Sequence, residues 1–172
     1  MSTRHLGQYN FVDRPAAIDE LGEQDRAEYQ AAQSDPAPAA HLAAKRYGDW
    51  VARLSRNPES LVNPAKLPDG DRWFFEDRDR TLPFFAAVSE AFRQGTDGIR
   101  WELIDTWLPW GFRLDGIQCP VRIWHGEQDP GVARAYVDFT VDHIPDAVLV
   151  TWSDAGHFGI VKHWNEVLAA LT

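Results

Sequence analysis

Apolar and polar residues divide this chain into two stretches of different rhythm. In the first, residues 13–108, apolar side chains recur at helical spacing among many charged ones. Asp13-Arg14-Pro15 predicts a helix start, with Asp as N-cap and Pro in the first turn. Gly22 divides the helical stretch behind it into two short helices. Asp35-Pro36 is a second start of the same kind, followed by Leu42, Tyr47, Trp50, Val51 and Leu54 up to Asn57-Pro58. Residues 58–71, with Pro58, Pro64, Pro68 and Gly70, read as a loop. A third helix is predicted over 81–94, its apolar side formed by Phe84, Phe85, Val88, Ala91 and Phe92. Gly95-Thr96-Asp97-Gly98 stops it, and a fourth helix over 99–107 ends before Pro109.

After Pro120 the rhythm changes. Residues 121–124 form a compact run suited to a buried strand, and 147–152 form a second. Between them a helix is predicted over 132–143, with Val132, Ala135, Phe139 and Val141 among its apolar residues. In the last helix Ile160, Val161, Trp164, Val167, Leu168 and Leu171 step by three and four along a single apolar face. Two nearly apolar strands separated by a helix predict a parallel pair buried on both faces. The fold class is therefore α/β: a helical region over 13–108, then a parallel β-α-β-α unit within 109–172.

Composition narrows the partners. A chain of 172 residues with 44 % hydrophobic content suits one domain with a sizeable core. A net charge of −9 argues against nucleic acid and against anionic membrane surfaces, both of which need clustered Lys and Arg. The single cysteine, Cys119, cannot form an internal disulfide and fits a cytoplasmic location. It precedes Pro120 at a strand start, where a buried small residue is expected. No apolar run is long enough to span a bilayer, and the N-terminus lacks the pattern of a signal peptide.

The candidate chemistry lies where the two strands end. Asp129 follows the first and His157 the second, 28 residues later (157 − 129). That interval holds one loop, one helix and one strand, a βαβ unit whose parallel strands deliver both loops to one rim. A neutral imidazole there can take a proton from a nucleophile, and a carboxylate on its other nitrogen fixes the tautomer. Gly156 and Gly159 flank the histidine and allow a tight turn. The bland alternatives are a surface turn for His157 and a turn or helix cap for Asp129. His125-x-Glu127-x-Asp129 has the alternation of a metal site, but its strand and loop residues would have to converge. His125 is better read as a structural residue at a strand end.

On these residues the sequence resembles the α/β-hydrolase fold superfamily. Strand-His125-Gly126-Glu127-Gln128-Asp129 is similar to the loop carrying the triad acid, and Asp154-Ala155-Gly156-His157-Phe158 to the loop carrying the triad histidine. Pro109-Trp110-Gly111-Phe112 before Ile117-Gln118-Cys119-Pro120 resembles the return from a helical cap into the sheet. The resemblance implies a partial α/β-hydrolase fold with residues 13–108 mostly cap. It also implies hydrolysis of an ester or similar bond in a small-molecule substrate, with His157 as general base and Asp129 as its orienter. It implies no metal and no organic cofactor. The departure is the nucleophile. No Gly-x-Ser-x-Gly occurs, and none of Ser2, Ser34, Ser55, Ser60, Ser89 and Ser153 sits on a strand-to-helix elbow.

The resemblance thus implies that the nucleophile comes from a complementary N-terminal half or from sequence upstream of Met1, and that the chain is incomplete or inactive alone. The exposed edge of either strand invites self-association. A different class of function also fits: a non-catalytic ligand-binding or interaction module, with the aromatic residues Phe84, Phe85, Trp107 and Trp110 lining an apolar groove rather than packing a core. A truncated product without independent function is the third alternative.

Overall fold

The computed structural model describes residues 23–57, 62–99, 101–102, 112–132 and 134–171. The helix start at Asp13, the break at Gly22, residues 103–107 of the fourth helix, Trp107 and the Pro109-Trp110-Gly111 linker lie outside the described residues. The chain divides into two compact units, one comprising Ser2–Asn63 with Asp79–Gly111, the other chiefly Pro64–Arg78 with Phe112–Thr172. Among the described residues no helix is long and apolar enough to cross a membrane.

The described residues of the first unit are mostly helical. Helix α1 (Glu23–Ser34) leads through Asp35 into α2 (Pro36–Arg56). Asp35 is extended and its carboxylate accepts the N–H of Ala37 at 3.1 Å, the cap expected of an Asp-Pro start. The two helices pack together, and Ala32, Ala39 and Ala40 are buried on them. Helix α3 (Asp69–Phe75) belongs to the second unit, and α4 (Arg78–Ala91) follows it. Pro83 lies inside α4, where its ring removes one helical hydrogen bond. Phe85 of α4 is buried, and Phe92 just beyond it meets Trp50 of α2 edge to face at 5.2 Å. Gly95, at φ +96, ends this segment in the left-handed region open to glycine. Of the helix predicted over 99–107, residues 99, 101 and 102 are described, and they are helical.

The second unit holds the sheet. Strands β1 (Val121–Gly126) and β2 (Ala147–Trp152) pair in parallel, with Val121 opposite Ala147 and Gly126 opposite Trp152. Helix α5 (Arg134–His143) connects them and packs on both, burying Tyr136, Val137 and Phe139, with Ile144 buried just after it. Period-two alternation places Trp124 on the same face as Val150 and Trp152. There Trp124 packs against Trp152, Ala155 and Val167 of the last helix. The parallel sheet, the crossover helix and the strand positions are as the hydrophobic pattern predicts, and the chain is a mixed helix-and-strand protein.

Six local expectations differ. Residues 69–71 begin helix α3 instead of ending a loop. Pro68 and Gly70 carry turn chemistry, but Asp69 and Asp71 supply the acidic first turn that a helix start favours. The buried face of α5 is Tyr136, Val137 and Phe139, while Ala135 is exposed and Val141 only half-buried. The last helix breaks at His163 into α6 (Gly159–Lys162) and α7 (Trp164–Ala169). Of its apolar row only Val167 is buried, whereas Ile160, Val161, Trp164, Leu168 and Leu171 are exposed. A stripe that wide is more than two strands can cover. For the same reason the strands are only partly shielded, and Val148 is 55 % exposed. Cys119 is also exposed, because it lies on the approach to β1, short of the covered part of the sheet.

Candidate acid–base site

Two loops leave the same end of the sheet and run side by side. The N–H of Glu127 donates to the Trp152 carbonyl at 2.9 Å, and the N–H of Gln128 to the Ala155 carbonyl at 3.0 Å. They extend the strand pairing past Gly126. The Asp129 N–H then turns back to the Gly126 carbonyl at 3.0 Å. This approach leaves no room for a side chain at position 126, where a Cβ would strike the carbonyl oxygens of Ala155 and Gly156.

The turn presents Asp129 to both backbone and imidazole. Its Oδ1 accepts the N–H groups of Gly131 at 2.6 Å and Val132 at 3.2 Å, and its Oδ2 accepts Nδ1–H of His157 at 3.0 Å. The side chain of Asp129 is 8 % exposed and that of His157 33 %. Burial pushes the Asp129 carboxyl upward, but the hydrogen bonds from His157, Gly131 and Val132 outweigh it and hold the group below the usual carboxylate range. The hydrogen bond to Asp129 raises His157 above an ordinary imidazole. Partial burial opposes this, and the charges of Asp129 and Asp71 add to it.

A carboxylate can only accept, so the Asp129 bond places the neutral imidazole's proton on Nδ1. The lone pair then lies on Nε2, which has no hydrogen-bond partner among the described residues. That is the arrangement of a general base held in one tautomer. The two residues that the sequence singles out are therefore brought together. No Ser, Thr or Cys side chain among the described residues is hydrogen-bonded to Nε2.

His125, at the end of β1, is buried, and burial lowers its pKa, favouring the neutral form. Glu127 beside it is exposed. Among the described residues no group of three or more His, Cys, Asp or Glu is arranged to hold a metal ion.

Sequence reasoning missed two residues that shape the site. Gln128 accepts the N–H of Gly70 at 2.8 Å through Oε1 and donates from Nε2 to the Ser153 carbonyl at 2.8 Å. It ties the acid loop to α3 on one side and to the histidine loop on the other. Asp71 of α3, 2 % exposed, accepts the backbone N–H groups of His157 at 2.9 Å and Phe158 at 2.8 Å. The acidic first turn Asp69-Gly70-Asp71 is a signal that could have indicated α3 where the sequence reads as a loop, but nothing local points it at a loop 86 residues away.

Comparison of the chain with models of known protein families, with curated proteins and with solved structures finds no match.

Proposed function

We propose that this chain supplies the acid and the base of an α/β-hydrolase-type active site acting on an ester or similar bond of a small molecule. The observation that carries the reading is the 3.0 Å hydrogen bond from His157 Nδ1 to a shielded Asp129, on an imidazole whose other nitrogen has no hydrogen-bond partner among the described residues. Nε2 would take the proton of a nucleophilic hydroxyl and return it to the leaving group. Asp129 would hold the tautomer and stabilise the imidazolium. On this reading the nucleophile would have to be supplied by another polypeptide segment, because the sequence contains no elbow motif. Among the described residues the outer edges of the sheet have no strand partner, and with the exposed row Ile160, Val161, Trp164, Leu168 and Leu171 they support a role for such a complementary segment, or for a second copy of the chain.

The test is hydrolysis of a p-nitrophenyl ester by the chain together with the polypeptide encoded directly upstream of it. His157→Ala should lower turnover by about 10²–10⁴-fold, the usual contribution of a positioned base. Turnover that survives this substitution refutes the reading. The same exposed apolar row favours a second reading, an interaction module without chemistry. A ligand or partner bound by the wild-type chain and equally by His157→Ala, with no ester turnover in any combination, would establish that reading instead.

A further inference from the structure

Asp71 stands outside the acid–base pair yet touches the loop that carries the base. Helix α3 reaches both halves of the site with consecutive residues. The N–H of Gly70 meets Gln128 of the acid loop, and the carboxylate of Asp71 spans two successive N–H groups of the histidine loop. The packing allows nothing between them. A Cβ on Gly156 would run into the Asp71 carboxylate, and a Cβ on Gly70 would lie 2.7 Å from the Ala155 carbonyl carbon. Aromatic rings close the other side. Phe158 stacks on Phe74 at 4.4 Å and meets Phe75 edge-on at 5.1 Å, both from α3.

A backbone held by two charge-assisted hydrogen bonds at residues 157 and 158 has its Cα–Cβ direction at 157 fixed. The imidazole is then aimed before it meets Asp129. We propose that Asp71 is a positioning residue for His157: it acts through the loop backbone to set the approach of the imidazole to Asp129. This rests on the acid–base reading above and deepens it. Among the described residues the charged groups acting on the imidazole are Asp129 from the loop after β1 and Asp71 from α3. Asp71 therefore also adds negative charge near a cation it does not touch. Asn is nearly the same size, but it carries no charge and can replace only one of the two acceptor oxygens.

The experiment is a pH titration of the His157 ring nitrogens by NMR in the wild-type chain, Asp71→Asn and Asp129→Asn. Asp71→Asn is expected to shift the His157 pKa downward and to mix the two neutral tautomers. A variant that melts earlier but leaves the His157 titration and tautomer unchanged shows Asp71 to be a stabilising residue only and overturns the proposal. Asp129→Asn separates the two claims. If it leaves His157 unmoved, the acid–base reading fails. If it moves His157 and Asp71→Asn does not, the positioning role alone fails. Should Asp71→Asn not fold, amide exchange in the wild-type chain decides. The N–H groups of His157 and Phe158 should exchange more than about tenfold more slowly than those of exposed Ser153 and Asp154. Equal rates would sink the proposal.

Discussion

Replacing Asp129 by Asn tests the electrostatics of the pair without deleting its atoms. The Asn carbonyl can still accept from Gly131 and Val132, so the turn survives. What changes is the contact with Nδ1, where the amide NH2 now faces the imidazole. The neutral ring can answer by moving its proton to Nε2 and accepting at Nδ1. A charge-assisted hydrogen bond then becomes a neutral one, a difference of about 1 kcal/mol. The protonated ring has no such escape, because imidazolium and amide both donate. The gross Coulomb attraction between unit charges at 4 Å is about 4 kcal/mol at an effective dielectric of 20. With His157 one-third exposed, water screens much of that, and a net loss of about 2–3 kcal/mol is expected.

The pH dependence has a definite sign. His157 has a folded-state pKa above its unfolded value of about 6.5. Its contribution to stability is complete below pH ~6.5 and disappears as pH rises through the folded pKa. Asp129 has a folded pKa below its unfolded value of about 3.9, so its contribution is complete above that and disappears as pH falls through the lowered value. The pair therefore stabilises most between about pH 4 and 6.5. In urea titrations the gap between wild type and Asp129→Asn should widen from about 1 kcal/mol at pH 8.5 to about 2–3 kcal/mol at pH 5.5. A gap that is constant or narrows on acidification would show that the pair carries no charge coupling.

Two further substitutions probe the frame around the pair. Gly156→Ala drives a methyl group into the buried Asp71 carboxylate and should cost about 1–3 kcal/mol; a thermal midpoint unchanged within about 1 °C would refute the close packing of α3 on the histidine loop. Trp152→Ala empties the cluster of Trp124, Ala155 and Val167 and also loses the indole hydrogen bond to Glu166 at 3.1 Å. A loss of about 3–5 kcal/mol in chemical denaturation is expected, and under 1 kcal/mol would show that this face is not a true core.

The strand pair and the acid–base pair were legible because each arises from a local rule. Apolar runs at 121–124 and 147–152 fix the strands, and one crossover helix makes them parallel. Asp129 and His157 then meet because co-directional strands end together. Asp35-Pro36 was legible for a similar reason, since a cap is satisfied within three residues. What escaped was settled by distant contacts. Pro68 and Gly70 disguise the start of α3, whose value lies in reaching Gln128 and Asp71's partners. Cys119 and all of the row from Ile160 to Leu171 except Val167 are apolar in type yet exposed, because burial depends on how much sheet is present to receive them. Periodicity identifies which side of a helix is greasy and is silent on whether anything covers it.

The bond from Asp71 to the His157 amide joins residues 86 apart, while Asp129 and His157 are 28 apart. During synthesis the carboxylate is thus made long before the amide it awaits, and the sheet, the crossover and both loops must emerge in between. Closing so long a segment carries an entropic penalty that nearest-neighbour contacts do not repay in advance. A nascent chain halted between residues 127 and 156 holds the clasping helix and the first strand but has no histidine to orient. The Asp129–His157 hydrogen bond can accordingly form only once the histidine loop has left the ribosome.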